Sequence, residues 1–181
     1  PGARAPSEPV KAVRLSACLL LAVWLAGCVP LRPVASEEVL LRLIEDAVAG
    51  RGASGRYHNV DPVDEASVRH FVYVEEWLDV NGEAVTGVLP AEPAAEGAYR
   101  FTRSRDGRVA YVICLGWPGP QVRTQALRPA PGSAITLLGW SDLLPWEQLG
   151  AVCVITTPRE MADEENHPCK QAFVFKVEAP R

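Results

Sequence analysis

Two segments in the first half of the chain carry apolar residues at helical spacing. In residues 37–49 the sequence EEVLLRLIEDAVA begins with acids and continues with an apolar stripe. The stripe comprises Leu40, Leu41, Ile44 and Val48. Ser36 is placed to cap this predicted helix at its start, and Gly50 is placed to end it.

A second helix is predicted over residues 63–80, with Asp64 as its cap and Asn81-Gly82 as its stop. Its apolar face comprises Val68, Phe71, Val74, Trp77 and Leu78. Between the two helices, residues 50–62 are rich in turn formers and hold a short strand-like piece at Arg56–Val60. Each helix is amphipathic, which predicts that one of its faces packs against a core.

Beyond Gly82 the pattern changes to short apolar runs separated by proline and glycine. Asp106-Gly107 is a hairpin turn signal, and Val109–Trp117 is apolar almost throughout, which predicts a strand buried on both faces. Further strands are predicted at Ala98–Arg103, Val122–Leu127, Ala134–Trp140, Ala151–Thr156 and Gln171–Val177. The predicted fold class is mainly β: a sandwich of about seven or eight antiparallel strands preceded by two helices.

The most apolar run of the chain lies near its start. Lys11 and Arg14 precede Leu15–Gly27, which suits the apolar core of a signal peptide and is short for a membrane span. The run ends in Leu25-Ala26-Gly27-Cys28, the kind of box at which bacterial lipoproteins are cut before a lipidated cysteine. This predicts lipidation of Cys28 and a lipid anchor in the bacterial cell envelope. The alternatives are an ordinary secretory signal, giving a secreted or periplasmic protein, and a buried helix.

These patterns divide the chain into four parts. Residues 1–27 are interpreted as upstream read-through followed by the signal peptide, with Val13 as the start if a GTG codon is used. Residues 28–36 form a linker, residues 37–82 the helical part and residues 83–181 the β-sandwich domain.

Composition and charge narrow the function classes. The chain has 181 residues, 48% of them hydrophobic, and a formal net charge of −4, which is ordinary for a globular protein. It has no basic patch and no nucleic-acid motif, so we expect no nucleic-acid partner. It also lacks GxSxG, P-loop and HExxH sequences, and we expect no cofactor. Gly50–Gly55 spells GxGxxG, but it follows a helix and is interpreted as a turn.

Cysteine and histidine offer little chemistry. Cys114, Cys153 and Cys169 remain after the leader, and one pair could form a disulfide in an oxidising periplasm. Cys114 and Cys153 lie in apolar strands, where a buried free thiol is the default. The candidate metal ligands are His167 and Cys169, with His58 or His70. Because none has the paired spacing of a zinc site, no metal is assigned. Asp163–Asn166 is oxygen-rich but lacks the EF-hand spacing, which favours a solvated loop.

Three tryptophans are the candidate ligand-binding residues. Trp117, Trp140 and Trp146 could stack on sugar rings, although packing at the edge of a small core is the commoner role of tryptophan. The carboxylates that could take part in catalysis are Glu75, Glu76, Glu83, Asp142 and Glu147. None of them forms a recognisable catalytic motif.

Several segments together resemble one known family. Trp77–Val85, WLDVNGEAV, looks like the W-L-x-V-N-G-E-A-I segment of the glycoside hydrolase family 29 α-L-fucosidases. Val109–Pro118 resembles the family's V-Y-A-I-x-L-x-W-P strand, and Ala134–Gly139 resembles its V-x-L-L-G strand. Segments that follow in family order are Leu144, Trp146, Ala151–Pro158 and Pro168-Cys169-Lys170. Upstream, Leu40–Ala49 resembles the last barrel helices, whereas Gly52–Val60 matches the family only at Asn59-Val60.

The resemblance covers roughly residues 38–178 and implies that the two helices are a remnant of a (β/α)₈ barrel. Family members are retaining hydrolases that remove terminal α-L-fucose with two barrel carboxylates. No residue here matches the nucleophile motif, so no catalytic residue is assigned. A barrel needs roughly 200 residues or more, which leaves no room for one beside the sandwich.

Three functions follow as hypotheses. In the first, the chain is an inactive α-L-fucosidase-related domain. In the second, it is a lipid-anchored envelope module that binds fucosylated glycans or a protein partner. In the third, it is a hydrolase that is active only when a separate barrel chain joins it. Whether it is an enzyme is left open.

Overall fold

The computed structural model describes residue 2, residues 36–51 and residues 65–180. Within these ranges the chain forms helix α1 at Ser36–Val48, helix α2 at Glu65–Asn81 and eight strands. The strands are β1 Leu89–Glu96, β2 Tyr99–Arg103, β3 Val109–Cys114, β4 Gln121–Thr124, β5 Ala134–Leu137, β6 Trp146–Leu149, β7 Val152–Thr156 and β8 Phe173–Glu178. The predicted signal peptide, Cys28, Asp64 and the strand-like piece at Arg56–Val60 lie outside the described residues.

The strands form two antiparallel sheets. The larger sheet has the order β1-β2-β3-β8-β5, and the smaller has the order β4-β7-β6. The hairpin between β2 and β3 turns at Asp106-Gly107, as predicted, and Ser104 N–H donates to Val109 O across it at 2.9 Å. The predicted fold class, a mainly β sandwich preceded by two helices, is confirmed.

The larger sheet is covered on both faces, because alternate side chains of a strand point in opposite directions. Phe173 and Phe175 of β8 belong to the core shared with the smaller sheet, whereas Val174 belongs to the core shared with the helices. On β3, Val112 belongs to the core shared with the smaller sheet and Ile113 to the core shared with the helices. The prediction that the β3 run is buried on both faces is therefore confirmed at its centre.

Helix α1 packs on the larger sheet with three of its four predicted stripe residues, Leu40, Ile44 and Val48, buried. The buried residues are Leu40, Leu43, Ile44, Ala47 and Val48. Leu41 is 40% exposed, so its assignment to the stripe was wrong. Successive helical residues are separated by about 100°, and the stripe through Leu40 and Leu43 turns Leu41 outward. Gly50 follows the helix, and Arg51 N–H donates to Asp46 O at 2.9 Å.

Helix α2 uses the C-terminal half of its predicted face. Val74 and Trp77 are buried, but Val68 is 48% exposed, so its assignment to the core was wrong. The side chain of Phe71 lies outside the described part. No helix within the described ranges is long and apolar enough to cross a membrane.

Candidate functional site

The segment Trp77–Val85, which carried the strongest family resemblance, fastens α2 to the larger sheet. The Trp77 indole is 3% exposed, and its Nε1–H donates to Ala172 O at 2.8 Å. Asn81 is fully buried, and its Nδ2–H donates to Trp77 O at 3.2 Å. Ala84 O accepts from the Thr102 hydroxyl on β2 at 2.7 Å. The segment therefore has a structural task at this junction.

Glu83 of the same segment is held in an ion pair. Lys176 Nζ lies 3.2 Å from Glu83 Oε2 and 3.3 Å from Glu178 Oε1, and the Tyr111 hydroxyl donates to Glu83 at 3.4 Å. Burial would lower the pKa of Lys176, but its hydrogen bonds to Glu83 and Glu178 outweigh burial and raise the pKa. Burial, followed by the charge of Glu83, raises the pKa of Tyr111. Glu83 is therefore an ion-paired carboxylate at the surface.

Glu96 is a carboxylate that sequence reasoning did not single out. It ends β1, and it accepts hydrogen bonds from the Thr124 hydroxyl and from the N–H groups of Gln125 and Ala126 after β4. The Thr124 bond is the main cause that lowers the pKa of Glu96, helped by the backbone bonds and opposed by burial. Because β1 and β4 belong to different sheets, Glu96 ties the two sheets together.

The remaining candidate carboxylates lie apart from these contacts. Asp142 is exposed after β5 and accepts from the Ser141 hydroxyl at 3.4 Å, and Glu147 is exposed on β6. Glu75 and Glu76 are exposed on α2.

The three candidate tryptophans all lie half-buried at the edge of the sandwich core. Trp117 packs against His167 with ring centroids 4.5 Å apart and against Phe173 at 4.9 Å. Trp146 donates its Nε1–H to Ser133 O at 3.0 Å. Among the described residues no ring contact joins one tryptophan to another, so they do not form a single stacking platform.

A cleft of about 220 Å³ opens between α2 and the segment His167–Gln171. Its lining residues are Tyr73, Glu76, Trp77, His167, Pro168, Cys169, Lys170 and Gln171. Tyr73, Glu76 and Trp77 are three and four positions apart, so one face of α2 forms one wall. Burial, followed by the charges of Glu37 and Cys169, raises the pKa of Tyr73, so its phenol remains a hydrogen-bond donor at neutral pH.

Sequence reasoning named His167 and Cys169 but not this cleft. The two walls of the cleft are about 90 residues apart in the chain. They meet only because the strands between them fold into a sheet, and no local sequence pattern specifies that meeting. The one indication of this cleft in the sequence was Glu76, a polar residue directly before the buried Trp77 on α2.

The cysteines and histidines form no metal centre in the described part of the chain, where no group of three His, Cys, Asp or Glu side chains could hold an ion. The side chain of His70 and all of His58 lie outside that part. Cys114, Cys153 and Cys169 are free thiols, and burial raises the pKa of each of them, that of Cys153 to about 11. None has the lowered pKa of a reactive cysteine.

No family model matches the chain. A curated α-L-fucosidase of Branchiostoma floridae is 29% identical over 106 residues, which are 56% of this chain and 23% of that protein. The chain therefore spans less than a quarter of the length of this relative.

Solved structures share the fold. The α-fucosidase of Thermotoga maritima, solved with a mechanism-based inhibitor, superposes on 80% of this chain with a TM-score of 0.62 and 19% identity. The chain resembles the C-terminal portion of a family 29 α-L-fucosidase. It covers only 34% of the Thermotoga protein, and at this identity the structural likeness establishes the fold alone.

Two further α-L-fucosidases give the same picture. Isoenzyme 1 from Paenibacillus thiaminolyticus has a TM-score of 0.58 at 16% identity, with 81% of this chain and 35% of that protein covered. The family 29 enzyme of Bacteroides thetaiotaomicron, trapped as a covalent intermediate, has a TM-score of 0.55 at 17% identity, with 80% and 32% covered. The family resemblance predicted from the sequence is confirmed.

Proposed function

We propose that this chain is a non-catalytic α-L-fucosidase-related domain that does not hydrolyse fucosides by itself. The observation that carries the proposal is the architecture: the described residues form two helices and two antiparallel sheets. A (β/α)₈ barrel is built from parallel strands that alternate with helices. The matched relatives are about three to four times longer than the part that this chain covers.

The carboxylates support the same proposal. A retaining glycosidase needs two carboxyl groups about 5–5.5 Å apart on either side of the scissile bond. Here Glu83 is paired with Lys176, and Glu96 is bound to the turn after β4. Both carboxylates carry out structural tasks, which leaves neither free to serve as a nucleophile.

Hydrolysis of 4-nitrophenyl α-L-fucoside by the purified chain tests the proposal, with a full-length family 29 enzyme as the positive control. We expect no turnover above the rate without protein. Turnover that is lost in Glu83→Gln or Asp142→Asn would contradict the proposal, because it would identify a carboxylate site on the sandwich.

We also propose that Cys28 anchors the chain to the cell envelope, on the strength of the basic start, the apolar run and the Leu-Ala-Gly-Cys box. Expression in a bacterium with labelled palmitate tests this proposal. We expect the label and membrane fractionation to be lost in Cys28→Ser and kept in Cys18→Ser. Equal labelling of both variants would contradict lipidation at Cys28.

A separate barrel chain is the third hypothesis from the sequence. Such a partner would cover apolar surface on the helices, where Leu41, Val68 and Val72 are 40–49% exposed. Single exposed apolar side chains are ordinary on a monomer, so they do not favour this hypothesis.

A further inference from the structure

The cleft between α2 and His167–Gln171 has hydrogen-bonding groups that the fold leaves unused. Within the described residues, the Glu76 carboxylate, the Lys170 ammonium group and the Gln171 side-chain amide form no hydrogen bond or ion pair. The Tyr73 phenol also has no hydrogen-bond partner there. Acceptors and donors therefore surround one small space and are available to a ligand.

The walls of the cleft are fixed by contacts behind them. Trp77 is buried and donates to Ala172 O, which holds α2 against the start of β8. His167 Nε2 lies 2.9 Å from Met161 O, and its ring packs against Trp117 and Phe173. A cleft whose walls are already ordered loses little conformational entropy when a ligand binds.

The chemistry of the lining favours a neutral polar ring. Glu76 and Lys170 are the two charged residues that line the cleft, and their charges are opposite, so the lining has no net charge. The half-buried rings of Tyr73 and His167 add aromatic surface beside these polar groups, whereas Trp77 is buried behind them. The volume of about 220 Å³ is below the roughly 300–1,000 Å³ of pockets for drug-sized ligands, so the ligand is small.

We propose that this cleft binds a single neutral sugar ring. Its hydroxyl groups are both donors and acceptors, which matches Lys170 and Gln171 on one side and Glu76 and Tyr73 on the other. Its C–H face is apolar and matches the aromatic wall. None of the three candidate tryptophans lines this cleft. The inference holds whether or not the chain hydrolyses fucosides.

An NMR titration of the ¹⁵N-labelled chain tests the proposal, with L-fucose, D-galactose and D-glucose as probes and glycerol as the acyclic control. Each sugar is added to about 50 mM, because a few hydrogen bonds give affinities near the millimolar range. We expect saturable shifts of backbone amides in residues 73–77 and 169–171 with at least one sugar. Glycerol should produce no saturable shift.

Matched variants assign the binding to the cleft. Glu76→Ala and Lys170→Ala each remove one charged hydrogen-bonding group and should weaken binding about tenfold. Glu75→Ala changes the neighbouring exposed carboxylate, which does not line the cleft, and should leave the affinity unchanged. Among the described residues, none of the three side chains forms a hydrogen bond or an ion pair, and the amide spectrum itself verifies folding.

Three results would overturn the proposal. The first is the absence of saturable shifts with all three sugars. The second is saturation centred on Trp140 or Trp146, which would place the sugar on those tryptophans and not in the cleft. The third is an equal loss of affinity in Glu75→Ala and Glu76→Ala, which would show that only the total charge matters.

Discussion

Gly139 lies where three elements meet at the backbone. It follows β5 with a φ of +83°, and an added Cβ would lie 2.5 Å from Pro168 Cβ and 2.9 Å from Val80 Cγ1. Pro168 belongs to the segment that lines the cleft, and Val80 is near the end of α2. The absence of a side chain therefore permits the close approach that shapes this corner of the molecule.

Replacing Gly139 with alanine should lower the free energy of unfolding by about 2–4 kcal/mol, since it combines a strained φ with a steric clash. Gly97→Ala is the control, because Gly97 has a φ of +57° and nothing within 4 Å of the added Cβ. Gly97→Ala should lower the free energy of unfolding by only about 1–2 kcal/mol, because only the strained backbone conformation contributes. Urea denaturation measures both values. Equal losses would mean that Pro168 moves aside without cost.

Trp77 combines a buried ring with a buried hydrogen bond. Trp77→Phe leaves Ala172 O without its donor and should lower the free energy of unfolding by about 1–3 kcal/mol. Trp140→Phe is the matched control, because the Trp140 indole is half-buried and its Nε1–H has no partner among the described residues. Thermal unfolding compares the two. A larger loss of stability in Trp140→Phe than in Trp77→Phe would contradict a stabilising role of the Trp77 hydrogen bond.

At the scale of elements, the contact of β1 with the turn after β4 depends on one ionised group. Glu96 accepts from Thr124, Gln125 and Ala126, which lowers the pKa of its carboxyl group. A lowered pKa in the folded state stabilises the protein above the ordinary carboxyl pKa, and this stabilisation is lost as the pH falls through the folded value.

Glu96→Gln should therefore destabilise the chain near neutral pH by about 1–2 kcal/mol, and the difference from the parent should shrink below about pH 4. Chemical denaturation across this pH range measures the effect. Glu147→Gln, on exposed β6, should show no such dependence. A difference for Glu96→Gln that stays constant from neutral pH to pH 3 would exclude the ionised carboxylate as its cause.

The elements that the sequence predicted well are those with apolar runs. β3 and β8 were predicted within a few residues because their side chains are buried on both faces. β1 was not predicted, since LPAEPAAE contains two prolines and no β-branched residue. β6 was missed because it is four residues long and three of them are exposed.

The candidate site was harder to predict than the strands. The tilted ring contact between Trp117 and His167 joins residues 50 positions apart, and no local pattern specifies such a contact. The cleft brings Tyr73 near Lys170 for the same reason. The family segment Trp77–Val85 was visible in the sequence, but only the packing of Trp77 and Asn81 showed that its task is structural.

At the scale of the whole molecule, two cores share one sheet. Leu43 lies in the core under the helices, and Val122 lies in the core between the sheets. Strands β3 and β8 contribute to both cores, so loss of either core exposes the same strands. We expect the helices and the sandwich to unfold in one transition.

Leu43→Ala and Val122→Ala test this expectation from opposite sides of the sheet. The leucine variant should lose about 2–5 kcal/mol, and the smaller valine truncation should lose less. In each variant, helical circular dichroism and tryptophan fluorescence should shift together. Two separate transitions in either variant would contradict the coupling.

The position of β8 between β3 and β5 also affects how the chain acquires its structure during synthesis. β3 and β5 are joined in the sheet only through β8, which is made after both of them. Until residues 173–178 have left the ribosome, the nascent chain carries two apolar strands with unpaired edges. Such edges invite association with other chains, so we expect the unfinished chain to be prone to association until β8 is added. A stop codon introduced shortly before residue 173 would leave β3 and β5 permanently without the strand that joins them.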